Sequence, residues 1–425
     1  MNRGLALALA SAAFALSSAP ALAGEPDATA PAYDVALNGS EQGRRWTGRE
    51  TIALTNPGAV ALGRIWLRLW GNGERGCRTP QAVRITAVSG ATAGAPTVAC
   101  SAIPLDLDAP LLPGARGSVS FDVDIRAPRR PGRFGSRSRI ALFSNAIPAL
   151  AHLEDGAFRL DRPYSGGEAW TYPAADWTVK LDAPEGVAVA APGVRGPDGM
   201  RRLERGRDFS FAAGQLRAVR SVVDGIAVTV WDVSGKRGRL GAVLAMARRR
   251  LPRLAALYGP YGWPDLQIVI TQDAAMEHTG LIMTPPIEFV VTHELAHEWW
   301  YALISGDQAQ APWLDEAFAS YAEEAAVVPR RPWCRRAGAE APLVTRGTDF
   351  FRGPRRGDYG AIYSEGACLL DLLRKRMGAA VFDAALREYA LANRHGWSTA
   401  AEFRAAMDAA ARVGLGDLWR RYRVQ

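Results

Sequence analysis

Two histidines four residues apart, each followed by a glutamate, interrupt the apolar run "VVTHELAHEWW" at 290 to 300. At 3.6 residues per helical turn, positions i and i+4 share a face, so the imidazoles of His293 and His297 can reach one ion. A catalytic zinc takes three protein ligands and keeps a further position for water. Glu316, in "PWLDEAFASYAEE", is the candidate third ligand. Eighteen residues lie between it and His297. That is enough for one helix to end, a turn to form near Ser305, Gly306 and Asp307, and a second helix to bring Asp315 and Glu316 back against the first. Glu294 adjoins His293 at the edge of the ligand face, where it reaches a zinc-activated water rather than the zinc. Zinc lowers the pKa of such a water toward ~7, and Glu294 can take its proton as general base and pass it to a leaving amine. The same stretch also has two blander readings, a core helix with hydrogen-bonded histidines and a closed structural zinc. The chain has only five histidines, so His-Glu-x-x-His followed by a well-spaced glutamate is rare by chance, and structural zinc sites favour cysteine.

"HELAHEWW" and the later "WLDEAFASYAE" resemble the zinc motif of the M1 aminopeptidases, which are gluzincins. "AAMEHTGL" at 274 to 281 is similar to the family's Gly-x-Met-Glu-Asn exopeptidase segment, and "IYSEGACLL" at 362 to 370 to its Tyr-Glu-Lys-Gly segment. "LYGPYGWPDLQIVIT" looks like the approach to the exopeptidase segment, and "RDFSF" at 207 to 211 like the end of the family's β domain. The resemblance implies one zinc per chain, held by His293, His297 and Glu316, with Glu294 as general base. It implies that Glu277 binds the free α-amino group of a peptide beside Met276 and Ala275, and that Tyr363 hydrogen-bonds the oxyanion. Glu277 could instead be a surface carboxylate, and nearby Tyr359 could be the donor. Asp315 could orient a zinc ligand, and Glu298, Glu323 and Glu324 read as solvated or supporting groups. Trp299, Trp300 and Trp313 read as core, and His152, His278 and His395 carry no predicted role. Three departures stand out: Ala274 and Ala275 where glycine is common, His278 for the asparagine, and Glu365 for the lysine. The β-domain residue that often assists the amine-binding glutamate is not identifiable. The chain stops soon after the catalytic segment, without the C-terminal helical domain of larger members, so an open cleft is expected.

Two patterns must position these residues. Up to about residue 220 the period is two. In "SVSFDVDIR", Val119, Phe121, Val123 and Ile125 alternate with Ser120, Asp122 and Asp124, as in a half-buried strand. Ile65, Leu67 and Leu69 alternate likewise, as do Ile226, Val228 and Val230. From about 239 the period is helical: "LGAVLAMARRRLPRLAALYG" is amphipathic, with Pro252 expected to break or kink it. A short buried strand follows at 266 to 270, then helices near 287–304, 313–326, 361–376, 379–392 and 399–411. The fold class is therefore multidomain β plus α/β. An antiparallel β sandwich or saddle is expected over 24–220, and the resemblance implies that 221–425 form a thermolysin-like α+β zinc peptidase domain.

Bulk properties agree. The chain has 425 residues, 48% apolar and 22% charged, as in a globular protein. Residues 1–23 read as a signal peptide cleaved after Ala23, so the product is expected to be exported, periplasmic or secreted, with no stable membrane insertion. Net charge is +8, almost all of it arginine; only Lys180, Lys236 and Lys375 are lysines. The arginines are scattered without a basic-aromatic element, so no nucleic-acid partner is expected. Cys77 could pair with Cys100, and Cys334 with Cys368. Peptide substrates are the implied partners, and the sequence leaves oligomeric state open. The favoured reading is removal of N-terminal residues. An open-cleft zinc endopeptidase and a non-catalytic peptide-binding protein with structural zinc are the alternatives.

Overall fold

The computed structural model describes residues 30 to 425 except 74–75, 79, 171, 273, 328–333, 335–340 and 353–356. The expected leader, 1–23, lies outside the described residues. Strand Arg116–Arg126 follows its alternation: Val119, Phe121, Val123 and Ile125 are buried, while Asp122 is exposed and Asp124 half-buried on the other face. It pairs with Arg45–Thr55 and Val83–Ser89 in a seven-stranded sheet. The outer face of that sheet is laced by Arg45–Asp124, Arg49–Asp122 and Arg84–Asp124 pairs at 2.9, 3.0 and 2.6 Å. One pairing within this otherwise antiparallel sheet is parallel, Ala32–Ser40 with Ala175–Asp182. The intervening chain makes a four-stranded sheet and two strands of another before Ala175, the long crossover that a parallel pair requires. Phe143 and Phe211, paired in one four-stranded sheet, stack with centroids 4.4 Å apart, and Trp46 of the seven-stranded sheet meets Phe211 edge-on at 5.3 Å.

The change of architecture falls between Gly214 and Arg217, slightly before residue 220. Strand Arg217–Val223 already forms a hairpin with Ile226–Asp232, which pairs in parallel with Asp265–Ile270. That strand pairs in parallel with Leu281–Thr284, and Met276 adds an antiparallel bridge to Met283 at the sheet edge. Helix α1 (Arg237–Tyr258) makes the crossover, burying Leu240, Val243, Leu244, Ala247, Leu251, Leu254 and Tyr258. Of the break or kink expected at Pro252, the break does not occur: the helix runs continuously from Arg237 to Tyr258. Pro252 is half-buried beside this stripe, and the apolar face continues through it, so packing outweighs the one lost amide hydrogen bond.

Helices α2 (Glu288–Ala296), α3 (Trp313–Ala325), α4 (Gly360–Met377), α5 (Ala379–Ala392) and α6 (Ala400–Ala410) complete the second half. The helix expected over 287–304 is shorter: after Ala296 the chain widens through Glu298–Leu303 and leaves helical geometry at Trp300 and Tyr301. Glu298 to Leu303 are all buried, and a regular helix, with one apolar stripe, could not bury six consecutive residues against a single face. Thr399 and Glu402 form a reciprocal capping box on α6. Both of the pairings left open by the sequence are present, with Cα–Cα distances of 5.1 Å for Cys77–Cys100 and 4.7 Å for Cys334–Cys368; each typically contributes about 3 kcal/mol. No helix among the described residues is long and apolar enough to cross a membrane.

Candidate metal centre and adjoining cleft

Helix α2 presents His293 and, at its C-cap, His297; the first turn of α3 presents Asp315 and Glu316. The Nε2 atoms of His293 and His297 lie 3.1 and 3.5 Å from the same Glu316 oxygen. Tetrahedral zinc with arms of ~2.0–2.1 Å separates its ligand atoms by about 3.3 Å, so these spacings fit. The other ring nitrogens are engaged. His293 Nδ1 lies 2.6 Å from Glu323 Oε1, and His297 Nδ1 lies 3.2 Å from the Trp300 carbonyl oxygen and contacts Asp315. If each Nδ1 carries the proton, both Nε2 lone pairs converge on a carboxylate oxygen. Three lone pairs meeting at one point call for a cation.

The electrostatics point the same way. Burial alone would depress His293, yet Glu316 and Glu323 reverse this and raise its pKa to about 10. Burial likewise disfavours the charged form of His297, and Asp315 and Glu316 raise it well above the ordinary range. Burial pushes Glu316 up, but its bonds to the two imidazoles hold it well below the usual carboxylate range. The cluster thus stabilises positive charge at its centre. Glu294 is 4% exposed, with Oε2 buried and unpartnered. Burial pushes its pKa to about 7, against the pull of His293 and His297. Glu277, Glu294 and His297 offer ligand atoms within 4.8 Å of one another, so Glu294 adjoins both His297 and Glu277.

Beyond Glu294 the cleft closes. Glu277 is 3% exposed, which excludes a surface loop carboxylate. It accepts a hydrogen bond from Gln308 Nε2 at 3.2 Å. Burial, then the neighbouring Glu168 carboxylate, push Glu277 well above its ordinary pKa. Glu168 comes from the β half; Arg133 Nη1 donates to its Oε1 at 2.8 Å, and its Oε2 is buried without a partner. Two buried carboxylates side by side favour a cation between them. Met276 is buried beneath the edge strand, in contact with Arg133 through its sulfur, and Ala275 is exposed on it. Tyr363 donates to Glu316 Oε1 at 2.7 Å and stacks on His293, centroids 5.9 Å apart. The Tyr359 hydroxyl is buried without a partner and packs against Gly167, where a Cβ would come within 2.3 Å of it.

The structure places His293, His297, Glu316, Glu294, Glu277 and Tyr363 side by side, with Met276 and Ala275 on the neighbouring strand edge, and adds Glu168, Gln308 and Arg133. Glu168, inside "YSGGEAWTY", carried one usable signal, a lone carboxylate in an aromatic and glycine-rich turn. Glu298 is not solvated: it is fully buried and accepts from Gly280 N at 3.1 Å. Glu323 supports His293, and Trp299, Trp300 and Trp313 are core as expected. His278 turns away from the cleft into the β half. Its Nδ1 lies 2.6 Å from Asp208 Oδ2 and its Nε2 2.9 Å from Ser144 Oγ. This buried Ser-His-Asp set is 3%, 1% and 3% exposed, so it has no access to substrate and acts as an interdomain clamp.

Comparison with known proteins is consistent with this geometry. No family model matches the chain. An aminopeptidase N from Acetobacter pasteurianus is 28% identical over 135 residues, covering 27% of this chain and 38% of that protein. The match thus spans well under half of that relative. Among solved structures, an M1 zinc metallopeptidase from Deinococcus radiodurans superposes with a TM-score of 0.63 at 19% identity, over 93% of each chain. A two-domain M1 zinc metallopeptidase variant bound to L-arginine gives a TM-score of 0.63 at 20% identity, covering 93% of this chain and 94% of that one. A Deinococcus radiodurans variant bound to a Tyr-Ser-Ala substrate gives 0.62 at 20% identity, over 93% and 94%. This chain therefore has the fold of the two-domain M1 zinc metallopeptidases.

Proposed function

We propose that the protein is an exported zinc metallopeptidase that removes N-terminal residues from peptides. The observation that carries this reading is the convergence of His293 Nε2, His297 Nε2 and Glu316 beside Glu294, in a cleft ending at Glu277 and Glu168. His293, His297 and Glu316 would hold one zinc ion. When bound, zinc supplies a Lewis acid that polarises a carbonyl and acidifies water. Glu323 and Asp315 orient the imidazoles from behind. Glu294 takes the proton of the attacking water and delivers it to the leaving amine. Tyr363 donates a hydrogen bond to the carbonyl oxygen as negative charge develops there. Glu277 and Glu168 hold the substrate ammonium, with Arg133 and Gln308 fixing the two carboxylates. Ala275, exposed beside the Met276–Met283 bridge, would offer its backbone to the peptide.

Closure of the cleft favours exopeptidase over endopeptidase action. Past Glu277, Thr279 N and Gly280 N are bonded to Asp208 and Glu298, so neither donor is free to pair with a peptide running on that way. The test is digestion of matched free-amine and N-acetylated peptides by the zinc-loaded protein, read by mass spectrometry. Loss of single N-terminal residues from free-amine peptides alone is expected; equal cleavage of both sets overturns the exopeptidase reading. Export rests on residues 1–23. A product from a secreting host that begins at Gly24 supports it, and one retaining Met1 counts against it.

A further inference from the structure

We propose that a second cavity, between the two halves and separate from the metal centre, binds a small monocarboxylate with an apolar body. This goes beyond the peptidase reading and does not depend on it. The cavity has a volume of about 280 Å³, just below the ~300–1,000 Å³ of sites for drug-sized ligands, so its ligand is small. The β half supplies Leu54, Leu62, Leu150, Leu153 and Phe158, and the helical half closes it with His395, Gly396 and Trp397. None of the residues at the metal or ammonium end borders it, and among the described residues no acidic side chain lines it.

One cation belongs to this otherwise apolar wall. Arg207 lines the cavity and is 3% exposed. Its Nη2 donates to the carbonyl oxygens of Leu303 and Gly396, and its Nε is buried without a partner. Among the described residues no carboxylate pairs with it. Burial lowers its pKa to about 10, so it stays charged at neutral pH. A buried charge is normally paired, because leaving it alone away from water is costly. Two more atoms of the same lining are buried without a partner, Nδ1 of His152 and Nδ1 of His395. Burial first, and Arg207 among the charges after it, depresses both imidazoles, which places the three groups near one another. His152 is held in the wall by stacking on Trp397, centroids 4.2 Å apart. Unsatisfied buried polar atoms are rare in folded proteins, and three of them around one cavity point to a missing ligand. A carboxylate supplies the counter-charge and suits a guanidinium. The leucines, Phe158 and Trp397 favour an apolar body on it. An ammonium finds no acidic partner in the lining, so amines and free amino acids, the products of the proposed reaction, are poor occupants.

The same acid could also be drawn to zinc, so the test must tell the two places apart.

Isothermal titration calorimetry of the zinc-loaded protein would compare 3-phenylpropionate, phenylalanine, 3-phenylpropylamine and sulfate. 3-Phenylpropionate should bind with a Kd of about 1 mM or tighter, and about tenfold or more tighter than the other three. Arg207→Gln should weaken its binding about tenfold or more. Ala174→Phe puts a ring into the cavity without touching a charge; it should abolish binding while a single-residue anilide is hydrolysed at the wild-type rate. Should Arg207→Gln fail to fold, Ala174→Phe alone decides. The wild-type Tm should rise with 3-phenylpropionate concentration, as for a ligand held only by the folded chain, and the Ala174→Phe Tm should not. No binding by the wild type, or undiminished binding by Ala174→Phe, overturns the site. Equal affinity for the acid, the amine and the amino acid, or for sulfate, overturns the ligand class. No cleavage of any peptide, with 3-phenylpropionate still bound, overturns the peptidase reading and leaves the cavity standing.

Discussion

The cleft has two working regions built in different ways. The metal end comes from two helices of one half, α2 and α3, whose side chains meet because a short turn folds one back on the other. The ammonium end is assembled across the interface: Glu277 and Gln308 from the helical half, Glu168 and Arg133 from the β half. The first depends on local helical spacing. The second depends on how the two halves seat, which is held by Asp208, His278, Ser144 and buried Arg207. The Asp208 carboxylate accepts from Thr279 N at 2.9 Å, and the Arg207 amide donates to Thr279 Oγ1 at 2.9 Å. The difference teaches that chemistry and substrate counting can be damaged separately.

The largest expected effect breaks the metal end alone. Glu294→Gln should keep bound zinc, measured by elemental analysis, yet lower kcat by about 10²–10⁴ on every peptide. Loss of zinc in this variant would mean that Glu294 helps to hold the ion.

Changes at the ammonium end should be smaller and selective. Glu277→Ala and Glu168→Gln should raise KM for free-amine peptides roughly ten- to hundredfold, with zinc content unchanged. Equal losses on free and acetylated peptides in steady-state kinetics would erase the distinction between the two ends.

The clamp sharpens the comparison further. Asp208→Asn leaves Thr279 N and His278 poorly matched in a buried setting, a cost of about 1–3 kcal/mol. Denaturant unfolding should register that loss, and KM should rise more than kcat falls. A fall in kcat at constant KM would instead tie the clamp to the metal end.

The smallest effect concerns pH. His152 and His395 line the interface cavity beside Arg207. Burial, with Arg207 and Arg159, lowers the His152 pKa from 6.5 to about 4, and burial with Arg205 and Arg394 does the same for His395. Both are neutral when folded, so between pH 4 and 6.5 the unfolded chain binds more protons. Their contribution is complete above pH 6.5 and lost as pH falls toward 4. A His152→Gln, His395→Gln double variant should show a shallower fall in Tm between pH 7 and 4.5 than the wild type, by differential scanning calorimetry. Identical slopes would remove the two histidines from the pH response.

How much was legible follows the same division. Alternation in 116–126 named the buried face of its strand, and the i, i+4 pair with Glu316 named the metal end, because both obey backbone periods of a few residues. Pro252 and the widened segment at Glu298–Leu303 went against their local signals, because long-range burial decided them. Glu168 and Gln308 carried almost no signal: each is one polar residue in a loop until the halves close.

The sequence by itself determined the two architectures, the helix face bearing His293 and His297, and the return of Glu316 to it, since dihedral preferences and burial of apolar periods act locally. Only the tertiary structure decided that Glu277 is sealed in, that Glu168 neighbours it, and that His278 turns away into the β half. These depend on contacts between residues tens to more than a hundred positions apart, such as His278 with Asp208 and Ser144, whose free energies exist only once both halves have folded and docked.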